Sequence, residues 1–164
     1  MLQKMNGGLS VRLLICAGGT GGGVYPALAV YEALKNKHPN VETLWVGGEG
    51  GMEEELVNRA GISYRSIPAA GVHGVGLRTL PGNIAKLTRG VSASRRILRE
   101  FKPDVLFFTG GYVAAPMALA GRNIPTVLYV PDIEPGLALK FLSRFADRVT
   151  VTAPNSKKYF SRPG

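Results

Sequence analysis

Short apolar runs alternate along this chain with longer stretches in which apolar positions recur every three or four residues. The runs at 11–16, 41–46, 63–67, 104–108, 126–130 and 148–152 predict strands. Helical spacing between them predicts helices at 26–37, 52–60, 80–101, 113–120 and 135–145. The runs are nearly continuous in apolar residues rather than alternating, as in a parallel sheet covered on both faces. The fold class that follows is α/β: a doubly wound, Rossmann-like parallel sheet of about six strands in the order 3-2-1-4-5-6. Residues 1–10 read as a frayed tail and 11–153 as one domain. The polar segment 154–164 reads as a linker or a truncation end.

In that strand order the first and fourth strands are neighbours, and both are followed by glycine. Gly18, Gly19, Thr20, Gly21, Gly22 and Gly23 follow the first strand, and Gly110, Gly111 and Tyr112 follow the fourth. Bare backbone beside a helix start exposes main-chain N–H groups at the positive end of the helix, which favours anionic ligands. A tight strand-to-helix turn alone would also account for the glycines. A dinucleotide fingerprint starting at Gly19 requires a third glycine where Val24 stands, and no Gly-Lys-Ser/Thr follows, so neither nucleotide motif is present. The phenol of Tyr112 offers a hydrogen bond to a ligand hydroxyl or phosphate, or packs at the sheet edge.

Charge narrows the partner. The 164 residues carry 20 Lys+Arg against 11 Asp+Glu, a formal charge of +9, which calls for something anionic. Seven of the basic residues fall between positions 72 and 102 with one acid, Glu100. Leu77, Arg78, Lys86, Arg89, Arg95 and Arg96 lie in an apolar glycine-rich stretch and the amphipathic helix after it, which suits an anionic membrane surface or an ordinary solvated face. No RNA-binding signature or aromatic stacking set accompanies them, so nucleic acid is not expected. The lone Cys16 precludes an internal disulfide, and no metal is expected. Asp132 and Glu134, after the fifth strand, are candidate general bases or helix caps ahead of Pro135. His73 is a third candidate base. Glu53, Glu54 and Glu55 read as acids that complement a helix dipole.

Gly18-Gly19-Thr20-Gly21-Gly22, Pro26-Ala27-Leu28-Ala29, Gly51-Met52-Glu53, Lys102-Pro103-Asp104-Val105, Gly110-Gly111-Tyr112-Val113, Pro116 and Pro135-Gly136 occur in this order along the chain. Together they resemble the N-terminal, acceptor-binding domain of the family 28 glycosyltransferases of GT-B fold, in the branch that builds the lipid precursor of peptidoglycan. The resemblance implies one lobe of a two-lobed enzyme. Its glycine turns cradle the diphosphate of a polyprenyl-diphosphate-linked sugar acceptor, and a C-terminal donor lobe, not in this chain, holds the UDP-sugar. It implies inverting hexosyl transfer with the UDP-sugar as substrate and no cofactor. The setting is cytoplasmic, peripheral on the inner face of the cell membrane. The chain departs from the family pattern in two places. Gly23 stands where the family has a histidine, and Tyr129-Val130-Pro131-Asp132 replaces His-Glu-Gln-Asn. A diverged member follows, inactive as an isolated lobe. The alternatives are a relative that uses another lipid acceptor and a non-catalytic subunit that docks a separate glycosyltransferase on a membrane.

Overall fold

The computed structural model describes residues 10–19, 21–69 and 80–160. Six parallel strands form one sheet: β1 (Arg12–Ala17), β2 (Glu42–Gly48), β3 (Ser63–Ile67), β4 (Val105–Gly110), β5 (Thr126–Val130) and β6 (Arg148–Val151). Their order is β3-β2-β1-β4-β5-β6, the one read from the alternation of runs. The helices are α1 (Gly21–Lys37), α2 (Glu53–Arg59), α3 (Leu80–Phe101), α4 (Ala114–Ala120) and α5 (Leu137–Leu142).

Alternate residues of each strand feed two separate cores. Leu13, Ile15 and Ala17 of β1 join Trp45 and Phe107 beneath Val24 and Ala27 of α1 and Val57 of α2. Leu14 and Cys16 join Val46 and Phe108 beneath Ile97 and Leu98 of α3, Met117 of α4 and Leu142 of α5. Each large side chain so buried stabilises the fold by roughly 1.5–3 kcal/mol, which explains why central strands that are apolar on both faces anchor the sheet. The one indole N–H that enters this core, Trp45 Nε1, donates to the Ala17 carbonyl at 2.9 Å.

One expectation is corrected. Helix α1 begins at Gly21, not near Pro26, so three glycines of the expected loop form its first turn. Proline at a helix start signals the first turn because its missing N–H is not needed there. Here Pro26 sits one turn further in and leaves the exposed Gly22 carbonyl without its helical partner. Residues Pro154–Tyr159 form a 3₁₀ helix. Its buried Ser156 hydroxyl lies 3.1 Å from the Asp132 carbonyl and 2.9 Å from the Ile133 carbonyl, which fastens the segment to the loop after β5.

Helix α3 reaches past the sheet. Gly90 lies against the Pro68 carbonyl, just beyond β3, which leaves no room for a Cβ, and tightly against Pro116 of α4. The turns before Gly90 therefore stand beyond the C-terminal edge of the sheet and are largely exposed. The turns after it descend along the sheet, with Ser94, Ile97 and Leu98 buried.

Cys16 is fully buried, and its Sγ lies 3.7 Å from the Val113 carbonyl. Burial, reinforced by the Glu53 carboxylate, pushes its thiol well above the ordinary range. At about pH 8.5, near the ordinary cysteine value, the folded protein should leave an aromatic disulfide reagent unreacted. Guanidinium should release one thiol per chain. Fast labelling of the folded protein would contradict this burial.

Candidate functional site

The site is set by the side-by-side C-terminal ends of β1 and β4. The turns that follow them touch. A Cβ on Gly111 would overlap the Gly18 carbonyl oxygen, and Gly111 has φ +84°. Both facts demand glycine, one for room and one for the left-handed backbone. A Cβ on Gly19 would lie 3.1 Å from Cε1 of Tyr112, so the phenol ring stands over the β1 turn. Tyr112 is 45% exposed at the rim.

Between these turns rises the N-terminus of α1. The first N–H groups of any helix have no partner within it, so the main chain of Gly21, Gly22 and Gly23 presents donors at the positive end of a 17-residue helix. A local irregularity in β4 holds this end in place. The β1–β4 register pairs Cys16 with Phe108 and Ala17 with Gly110, so Thr109 is skipped. A bulge of this kind re-aims a side chain. The buried Thr109 hydroxyl donates to the Gly23 carbonyl at 2.7 Å and ties the end of β4 to the first turn of α1. A Cβ on Gly23 would lie 3.2 Å from that hydroxyl, so a side chain at this position would start out against β4.

Glu53 is where the sequence reading needs its main correction. Of three consecutive acids at the start of α2, Glu54 and Glu55 are exposed and Glu53 is fully buried. Its Oε1 accepts the Gly48 N–H at 2.9 Å, and its Oε2 accepts the Gly19 N–H at 3.4 Å. Gly18, Gly47 and Gly51 surround the carboxyl group so closely that a Cβ on any of them would collide with it. Tyr64 completes the cluster, its hydroxyl donating to the Gly48 carbonyl at 3.2 Å. Burial, then the charges of Glu53 and Glu54, push this phenol above its ordinary range, so it stays protonated as a donor. One N–H expected to face a ligand, that of Gly19, is therefore directed at Glu53.

The remaining candidates scatter. Asp132 and Glu134 lie exposed in the loop after β5, next to the β4 turn in the sheet order. They do not cap α5: Gly136 takes the cap position, with no side-chain hydrogen bond. Leu139 of α5 packs on Gly110, its Cδ2 3.1 Å from where a Cβ would be, and so brings this loop's helix against the β4 turn. Lys86 and Arg89 fall on the projecting part of α3. Arg95 and Arg96 lie on the part that descends along the sheet, so the four described basic candidates do not form one cluster. Arg96 pairs with Glu100 at 2.9 Å, and Arg65 also pairs with Glu100. Hydrogen bonds from Arg65 and then Arg96 hold that carboxyl below its ordinary range. Thr20, His73, Leu77 and Arg78 lie outside the described residues.

A family profile, the glycosyltransferase family 28 N-terminal domain, matches residues 13–151. The UDP-N-acetylglucosamine–N-acetylmuramyl-(pentapeptide) pyrophosphoryl-undecaprenol N-acetylglucosamine transferase of Desulforudis audaxviator is 40% identical over 152 residues, 92% of this chain and 41% of that protein. The protein of the same name from Bacillus subtilis is 38% identical, over 92% of this chain and 42% of its own length. Among solved structures, Acinetobacter baumannii MurG superposes with a TM-score of 0.78 at 30% identity, covering 94% of this chain and 43% of that one. The chain thus spans about two-fifths of the length of the curated relatives it matches.

The contact between the turns has a measurable cost of disruption. Gly111→Ala should destabilise the protein by at least about 2 kcal/mol, from the left-handed backbone and the overlap with Gly18. That corresponds to a fall in melting temperature of roughly 4–8 °C. Gly82→Ala, in open space on α3, should be neutral or stabilising by up to about 1 kcal/mol. Circular dichroism melts would reveal the contrast. Equal melting of the two variants would show that the turns do not need their close approach.

Proposed function

The chain belongs to glycosyltransferase family 28, and on that premise we propose that it is the acceptor-binding lobe of a lipid-linked N-acetylglucosamine transferase. The observation that carries this reading is the meeting of the Gly18 and Gly111 turns beside the glycine N-terminus of α1. A diphosphate seated there would accept hydrogen bonds from the first-turn amides of α1 and from the Tyr112 phenol. The acceptor is a polyprenyl-diphosphate-linked sugar. The donor, a UDP-sugar, would be held by a second lobe.

In the transfer the acceptor hydroxyl oxygen forms a bond to the anomeric carbon as the bond from that carbon to UDP breaks, with inversion. The hydroxyl proton passes to a base, and the departing diphosphate takes the electron pair. In this lobe Asp132 and Glu134 are the exposed carboxylates beside the β4 turn, and His73 is the third candidate. Gly23 supplies no side-chain proton acceptor. The same position, together with Pro131 and Asp132, favours a relative with a different lipid acceptor as the second reading.

No helix among the described residues is long and apolar enough to cross a membrane. The membrane contact in this reading is peripheral, at the cytoplasmic face. The projecting turns of α3, with exposed Ile84, Lys86 and Arg89, are its described part, and Leu77 and Arg78 belong to the same segment.

This chain should co-sediment with anionic vesicles that contain undecaprenyl diphosphate at low salt. Binding should weaken several-fold when the salt is raised or when Lys86 and Arg89 are both changed to Ala. The isolated lobe should transfer no sugar. Failure to sediment at low salt would overturn the reading, and salt-independent sedimentation would remove the part given to the basic residues.

A further inference from the structure

We propose that Glu53 is a positioning residue for the acceptor diphosphate: it braces the turns after β1 and β2 and withdraws the Gly19 N–H from the ligand. Main-chain binding is thereby left to the first turn of α1. The inference rests on the acceptor-lobe reading above.

A fully buried carboxylate is costly unless its oxygens are hydrogen-bonded. No lysine, arginine or histidine forms an ion pair with Glu53 among the described residues. What it has is one main-chain N–H on each oxygen, from Gly48 and from Gly19. The surroundings are fitted to it. Gly18, Gly47 and Gly51 have no left-handed φ, so conformation does not require glycine at any of the three. Space does: a Cβ at Gly18 or Gly51 would collide with the carboxyl group, and one at Gly47 with the Tyr64 ring and hydroxyl as well as the carboxyl group. The carboxylate thus joins the β2 turn to the β1 turn, which in turn touches the β4 turn through Gly18 and Gly111. Loss of the brace frees Gly18 and Gly19 to move, and with them the chain that leads into α1.

The electrostatics give the test its sign. A negative charge this close to an anion site opposes the ligand, so its removal alone would tighten binding. Its removal as a brace would loosen binding. Glu53→Gln keeps the size, but its amide oxygen can accept from one of the two N–H groups while its NH₂ must face the other, so one hydrogen bond is lost.

The probe is inorganic pyrophosphate, titrated calorimetrically into this chain. Glu53→Gln should weaken its binding about tenfold, the loss expected of one misplaced hydrogen bond. Val57→Ala, which thins the core beneath the same helix without touching the turns, supplies a variant of lowered melting temperature and should bind as the unaltered chain does. Amide spectra of the unaltered chain give a second readout that needs no variant: pyrophosphate should move the Gly22 and Gly23 signals and leave Gly19 nearly still. Unchanged or tighter binding by Glu53→Gln overturns the proposal. So does an equal loss in Val57→Ala, or a Gly19 signal that moves most. Absence of pyrophosphate binding by the unaltered chain would instead overturn the acceptor-lobe reading itself.

Discussion

A carbonyl oxygen of Gly18 occupies the space where residue 111 would carry its first side-chain atom, and the rest of the site depends on that approach. Adjacent parallel strands end only about 5 Å apart, so ordinary side chains on both following turns would force them to splay. Glycine on both sides lets them close over each other. Once they close, α1 starts immediately above β1, the Thr109 hydroxyl reaches its first turn, and the Tyr112 ring lies across Gly19. This close approach is a property of the sheet's central seam.

The seam is polar beneath as well as above. A carboxylate, a phenol and a thiol lie close to one another below the glycine turns, in Glu53, Tyr64 and Cys16. Burial, reinforced by the negative charge, holds both neighbours in their protonated, uncharged forms. Of the three, only Glu53 bonds to two separate turns, so it supports the arrangement while the others fill the space around it.

The architecture was legible because it rests on periodicity. The strand order followed from the alternation of apolar runs, and the long basic helix from its three- and four-residue spacing, with bounds at Leu80 and Phe101 as expected. The start of α1 was not legible. Its glycines have poor helix propensity, and tertiary contact with Thr109 outweighs it. Nor did composition distinguish Glu53 from Glu54 and Glu55. A signal was present in Gly47-Gly48 and Gly50-Gly51 ahead of it: glycines on both sides of a turn imply something bulky folded into it. Which acid fills that space depends on the angle at which α2 leaves the turn, and no local pattern records that angle.

The loop that carries Asp132 and Glu134 is fixed at two points. β5 delivers it, and the hydroxyl of Ser156, which follows β6 in the chain, contacts its main-chain carbonyls. Its height above the sheet therefore follows the path of the chain beyond the last strand. Any pull on the polypeptide there would be transmitted to the two acids as a change in their height, moved by a lever rather than by the loop's own flexibility.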